Sequence, residues 1–288
     1  MFVAVGHQGL RLTSRDGESW SEPIYGKEGE VYRGVCFGKG RFVAFGSYGG
    51  ANIFAATTNG ADWSTAQQDA KYSRYVRGIT FGQDRFLALG GDPGAVGAAN
   101  AFGLTSADGL TWEGPHETGA KFVLRRAAFG NGLCVGVGDR GRRAVSKDGG
   151  LTWTDVPKPR AIDTLIDIAF GDGLFVGVGL HGLRISTRDG ETWSEPQRGQ
   201  EGEHCNCVAW TGEQFVAIGQ GATYFSPDGE KWERIPNVSA PTTAVRGKNA
   251  FVGSNWKGRL LHSPDAITWR EVHKCDQHVE ALAFGEAE

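Results

Sequence analysis

No stretch of the 288-residue chain holds the ~18 consecutive apolar residues that a membrane-spanning helix needs. The opening Met1-Phe2-Val3-Ala4-Val5-Gly6 has no basic region and no apolar run of secretory length, so no signal peptide is visible. Cysteine is sparse and odd in number: Cys36, Cys134, Cys205, Cys207 and Cys275. That count is no disulfide framework and fits a reducing, cytoplasmic setting, with secretion as the alternative if a leader has been removed. Charge of one sign is missing too. The 33 acids against 30 bases leave a net charge of −3, which gives no reason to expect a nucleic-acid partner.

Glycine is abundant instead: 45 of 288 residues, about twice the usual share of ~7%. Few windows reach the ~12 residues of a helix without a Gly or Pro, which excludes a helical bundle. No Gly-X-Y period is present, which excludes collagen. Apolar residues at 40% and aromatics at 11% exclude a disordered chain.

A repeat organises the whole sequence. Ser/Thr-x-Asp-Gly-x-x-Trp occurs at Ser14–Trp20, Thr57–Trp63 (Asn59 for Asp), Ser106–Trp112, Thr187–Trp193 and Ser226–Trp232. It occurs one residue longer at Ser146–Trp153, and with Ala266 for Gly at Ser263–Trp269. Successive tryptophans are 43, 49, 41, 40, 39 and 37 residues apart. Before each copy stand two short apolar strands joined by a tight turn, as in Val35–Gly46. Four short strands per ~40 residues, repeated, predict the blades of a β-propeller. The chain begins on a second strand, Phe2–Gly6, and ends on a first strand, Val279–Gly285. The expectation is an all-β fold over residues 1–288, a single domain of seven four-stranded antiparallel blades. The C-terminal strand would complete blade 1 and close the ring.

The turn resembles the Asp-box, or BNR repeat, of sialidase-like propellers, Ser-x-Asp-x-Gly-x-Thr-Trp, which Ser146–Trp153 matches in full. That resemblance implies the fold and a structural role for the box, in which the Asp bonds turn N–H groups and the Trp fills the space between sheets. Propellers of this kind include sialidases, other glycan enzymes, receptor ectodomains and assembly factors, so function must be sought where the blades differ. Gly9–Glu30 and Gly182–Glu203 agree at 15 of 22 positions, and agreement ends as the chain reaches the mouth of the ring.

Four residues before the last aromatic of each first strand, or its equivalent, the blades carry Glu280, Arg33, Arg77, Arg125, Ile166, Asn206 and Thr242. Arg126, Tyr32 and Tyr75 lie beside the three arginines. Guanidinium forks suit carboxylate or sulfate. The grouping is similar to the arginine triad of sialidases and to the Arg patch of propeller-type photosystem II assembly factors. Arg33, Arg77, Arg125, Arg126, Tyr32, Tyr75 and Glu280 are therefore the candidate binding residues. The first reading is a non-catalytic binding or assembly propeller presenting these arginines to an acidic glycan, peptide or protein surface. The alternative is a glycan-active enzyme, sialidase-like or a uronate lyase, with Tyr32, Tyr75 or Glu280 handling protons. No Ser-His-Asp set or acid pair is assignable, and no cofactor is implied. The facing arc, with Asp167, Glu201, Glu203, Asp276 and Glu280, predicts a dipolar mouth. Strand pleating allows instead that the arginines turn between blades and pair with acids such as Glu30.

A second group, His204, Cys205 and Cys207 with His273, Cys275 and His278, has the donor chemistry of a metal site but the spacing of no known zinc motif. Ordinary rim and core residues, or a Cys205–Cys275 disulfide, are the other readings. The Gly-rich segment Gly91–Ala101 lacks a P-loop lysine, and Trp256 is placed to stack on a ring or cover the rim.

Overall fold

The computed structural model describes residues 1–67, 75–92, 100–119, 122–157 and 162–286. Seven antiparallel sheets form the blades. Blade 1 joins Val279–Phe284, Phe2–Gly6 and Arg11–Ser14. Blade 2 comprises Val31–Gly38, Arg41–Tyr48, Ala51–Thr57 and Ser64–Gln67, and blade 3 comprises Tyr75–Gly82, Arg85–Gly91, Phe102–Ser106 and Glu113–Glu117. Blade 4 has Leu124–Gly130, Leu133–Gly138, Arg143–Ser146 and Thr154–Asp155, and blade 5 has Leu165–Gly171, Leu174–Gly179 and Leu183–Thr187. Blade 6 holds His204–Trp210, the long run Phe215–Ser226 and Glu233–Asn237, and blade 7 holds Thr243–Arg246, Phe251–Asn255, Arg259–Ser263 and Arg270–Lys274. The first strands of successive blades touch in an unbroken ring. Val279–Phe284 sits between Thr243–Arg246 and Val31–Gly38.

Four strands in every blade is more regular than the molecule. Blades 1 and 5 lack a full outer strand, and the duplicated Trp-Ser-Glu-Pro segment is the cause. Pro23 and Pro196 have no N–H to donate, so the outer ladder shrinks to isolated bridges, Arg11 to Ile24 and Ser14 to Trp20 in blade 1 and Arg184 to Gln197 in blade 5. In blade 6 the second and third strands run on without a break. Phe215–Ser226 pairs inward by its first half and outward by its second.

The Phe-Gly ending of the first strands is an inter-blade device. A Cβ on Gly38 would lie 2.0 Å from the ring of Phe81, and one on Gly285 would lie 2.1 Å from the ring of Phe37. Each aromatic thus rests on the bare backbone of the preceding blade. The seven turn tryptophans do the same work further out, each packing with a different inter-blade core.

Each Asp turn is a small hydrogen-bonded knot. Asp16 Oδ1 accepts from the N–H groups of Glu18 and Ser19, each at 2.8 Å, Gly17 N–H donates to Ser14 Oγ, and Trp20 Nε1 donates to Gly17 O. Ala266 takes the left-handed conformation, φ 62°, that glycine adopts in the other six turns. The Ser19 and Glu18 N–H groups hold the Asp16 carboxyl down to about 2, and the Thr111 N–H chiefly does the same for Asp108. In Asp148, Asp189 and Asp265 burial pushes upward, but turn donors outweigh it and the net shift is also down. A depressed folded pKa contributes stability above the unfolded value near ~4 that is lost as pH falls through the folded one. The melting temperature should therefore drop progressively between pH 4 and pH 2, and less steeply in an Asp16→Asn/Asp108→Asn variant. Equal slopes in the two proteins would refute that account.

Candidate functional site

The arginines reach the mouth through a backbone irregularity that recurs around the ring. In blade 2, Tyr32 pairs with Gly46 and Gly34 with Phe45, so Arg33 is the extra residue of a β-bulge. The same break falls at Arg77 in blade 3, Arg125 in blade 4, Ile166 in blade 5, Asn206 in blade 6 and Glu280 in blade 1. A bulge leaves one residue out of the ladder and re-aims its side chain, which is why such features gather at barrel rims and sites. Simple alternation does not apply at these positions, and Arg33, Arg77 and Arg125 turn toward one another.

They line a mouth cavity of about 380 Å³ with Arg126, Tyr75, Val76 and Ile166. Arg33 Nη1 lies 3.8 Å from Glu280 Oε1, and that oxygen also meets His7 Nε2 at 2.7 Å. Arg125 Nε donates to Asp139 Oδ1. Between them Arg77 forms no ion pair among the described residues. Burial lowers its pKa, the Arg125 and Arg33 cations push the same way, and Asp139 works against them. The exposed ring of Tyr75 borders the cavity.

The other candidate residues separate from this group. Arg126 turns into the ring, where its Nη1 donates to the backbone oxygens of Arg77 and Arg125. It lines both the mouth and a deeper cavity of about 150 Å³ shared with Asp167, Asn206, Cys207 and Glu280. Tyr32 is fully buried and lines a different cavity of about 100 Å³. The expected acidic arc is incomplete. Asp167 lies deep, accepting from Val208 N at 2.9 Å, and Glu203 is buried against Arg234. Glu30 does not pair with the mouth arginines; its Oε2 accepts from Lys27 N at 3.0 Å.

The Cys/His group is scattered. All five thiols are free, so Cys205 and Cys275 are not bridged. Cys205, Cys207 and Cys275 pack in three different cores. Burial pushes the Cys205 thiol up to about 11 and that of Cys207 up as well, which disfavours the thiolate a metal would need. Among the described residues, no three His, Cys, Asp or Glu side chains gather as a metal site. His204 Nδ1 accepts from His181 N, and His273 pairs with Leu260 on the outer edge of blade 7. Trp256, 68% exposed, stacks on His278 with ring centroids 5.0 Å apart. Positions 93–99 of the Gly-rich segment lie outside the described residues.

One contributor escaped sequence reasoning, and another was aligned with the arginines without being given a role. Asp139, in the loop after the second strand of blade 4, fixes Arg125. Ile166 gives the mouth an apolar wall because blade 5 carries no charge at the bulge. The bulge was the missing signal, since a ladder irregularity has no composition of its own.

No protein-family model matches the chain, and no curated protein matches it in sequence. Solved structures do. The chain is similar to YCF48 bound to D1 peptide, with a TM-score of 0.66 and 18% identity over 91% of this chain and 87% of that one. It is similar to YCF48 from Cyanidioschyzon merolae, with a TM-score of 0.59 and 14% identity over 84% and 85%. The computationally designed Ika8 protein gives a TM-score of 0.60 and 12% identity over 90% and 92%. At these identities the likeness is one of fold.

Proposed function

We propose that this protein is a non-catalytic binding or assembly propeller whose mouth holds a carboxylate of an acidic partner, a protein or peptide ahead of a glycan. The observation that carries the reading is Arg77. Its guanidinium stands between two other arginines, in a recess, without a carboxylate of its own among the described residues. Gathered cations repel one another, and an incoming anion relieves that repulsion while accepting forked hydrogen bonds. The cavity of about 380 Å³ has room for an acidic side chain or a chain terminus, and Tyr75 and Ile166 offer apolar surface beside it. YCF48, a propeller of similar fold, binds a D1 peptide, which favours a peptide over a sugar polymer. Proton-transfer chemistry has less to draw on, because Tyr32 is buried elsewhere and Glu280 is engaged by His7 and Arg33.

A fluorescently labelled acidic peptide with a free C-terminus should bind, and its amidated Asn/Gln analogue should not. Arg77→Ala should weaken binding by about ten- to a hundredfold, the value of one or two charge-assisted hydrogen bonds. Added salt should weaken it further. Wild-type protein that ignores the acidic peptide, or binding indifferent to Arg77→Ala, would refute the proposal.

A further inference from the structure

The internal duplication sets two copies of one loop side by side, and only one of them is filled. In both copies a buried glutamate folds back over its own loop. Glu30 Oε2 accepts from Lys27 N at 3.0 Å, and Glu203 Oε2 accepts from Gln200 N at 2.8 Å. Each lies so close to a loop glycine that a Cβ on Gly26 or Gly199 would collide with it. The two carboxylates are thus presented by the same backbone.

Their surroundings differ. In blade 6 the Tyr224 hydroxyl donates to Glu203 Oε2, and Arg234 places Nε 2.9 Å from Glu203 Oε1 with Nη2 bonded to the same oxygen. Tyr224 and Arg234 are cross-strand partners. Counting from the turn, the corresponding pair in blade 2 is Ala55 and Thr65, also cross-strand partners. The phenol comes instead from Tyr32, which stands beside Glu30 where the second copy has Cys205, and only the guanidinium has no counterpart. In its place is a cavity of about 100 Å³, bounded by Glu30, Tyr32, Lys27, Tyr48, Thr65 and Gln67. Glu30 is 8% exposed, and among the described residues no arginine or lysine side chain forms an ion pair with it. Tyr32 is fully buried, and its hydroxyl is directed at the Glu30 carboxylate, which together with burial raises the phenol pKa, without completing a hydrogen bond of good geometry. A buried carboxylate beside a cavity, with no cation paired to it, calls for an occupant. Lys27, the cation at the rim, lies with Nζ 5.1 Å from the Tyr48 ring centroid and is not paired with Glu30.

We propose that this cavity is a guanidinium site, filled by an arginine side chain of a partner protein that docks where Arg234 sits in blade 6. The chemistry is already written in the second copy: a planar fork against a buried carboxylate, with a tyrosine hydroxyl beside it. Arg11 completes the parallel, with its guanidinium carbon 5.8 Å from the Tyr32 ring as Arg184 stands 3.8 Å from the Tyr224 ring. The site is separate from the arginine mouth and of opposite charge preference. Tyr32 and Arg33 are adjacent on the same strand, and the bulge sends one to each.

The probe is N-acetylarginine amide, titrated into the intact protein by calorimetry. Saturable binding is expected, weakened about tenfold or more by Glu30→Gln, which keeps the shape and removes the charge. Thr65→Arg should abolish binding by supplying the guanidinium internally, with an unchanged or higher melting temperature. Lys27→Gln, which copies Gln200, should leave binding intact or strengthen it. Arg77→Ala should not affect it, so failure here is distinguishable from failure of the mouth. No saturable binding, as for a cavity holding only water, would overturn the proposal, and so would binding that survives Thr65→Arg.

Discussion

Truncation after His278 is expected to abolish cooperative folding. The lost segment supplies the first strand of blade 1, paired with Phe2–Gly6 at five positions. Val279, Leu282 and Ala283 are buried. Gly285 is the seat of the Phe37 ring, its carbonyl accepts from the Met1 ammonium at 2.7 Å, and Val279 O accepts from Ser254 Oγ. Burying Val279 and Leu282 contributes about 3–6 kcal/mol together. Removing the strand also opens a sheet edge and strips one side from the first strands of blades 7 and 2. The sum rivals the whole stability of an ordinary domain, roughly 5–15 kcal/mol. Circular dichroism on heating should show no cooperative transition, and size exclusion should show aggregated material. A truncated protein that melts within a few degrees of the full chain would disprove the velcro-like closure.

That closure was legible in the sequence because a split blade leaves two complementary half-patterns, at Phe2–Gly6 and Val279–Gly285. The seven turns were legible because each keeps its Asp or Asn, its Gly or Ala and its Trp for one local geometry. The mouth was legible only in part. Aligning the first strands placed Arg33, Arg77 and Arg125 at one position, but alternation could not say whether they faced the mouth or a neighbouring blade. The bulge at that position decides it. It also sends Tyr32, which adjoins Arg33 in sequence, to other surroundings, and turns Arg126 inward behind the mouth that it helps to line. The unequal filling of the two duplicated loops was out of reach for a similar reason. Thr65 is an unremarkable residue, and its meaning appears only when the carboxylate that it leaves without a guanidinium is seen.

The second large effect is expected at Arg126, which does its work one residue behind the mouth. Its Nη1 donates to the carbonyls of Arg77 and Arg125 and so latches two neighbouring bulges together. Asp167, at the matching position in blade 5, is the carboxylate that steadies its charge, while burial pulls the Arg126 pKa down. Burial pushes the Asp167 carboxyl up, opposed by Arg126 and by the Val208 and Ile168 N–H groups. Arg126→Met frees the two carbonyls and leaves Asp167 without its cation. The cost should be about 3 kcal/mol, the low end for a buried charge deprived of its counter-charge, because the two do not touch. That corresponds to a melting temperature lower by about 6 °C. The pH dependence identifies the cause. An acid whose folded pKa is raised contributes stability below its unfolded pKa and loses it as pH rises through the folded one. Without Arg126 that rise is larger, so the variant should recover part of its loss as pH falls toward the ordinary carboxylate value of about 4, whereas the turn aspartates act only below it. Arg126→Met/Asp167→Leu should be more stable at pH 7 than Arg126→Met alone, since it removes the stranded charge. The carboxylate-bearing peptide should bind either variant more weakly, because Arg77 and Arg125 lose the backbone latch that aims them. An Arg126→Met protein with wild-type melting temperature and peptide affinity would show that the latch does not position the mouth.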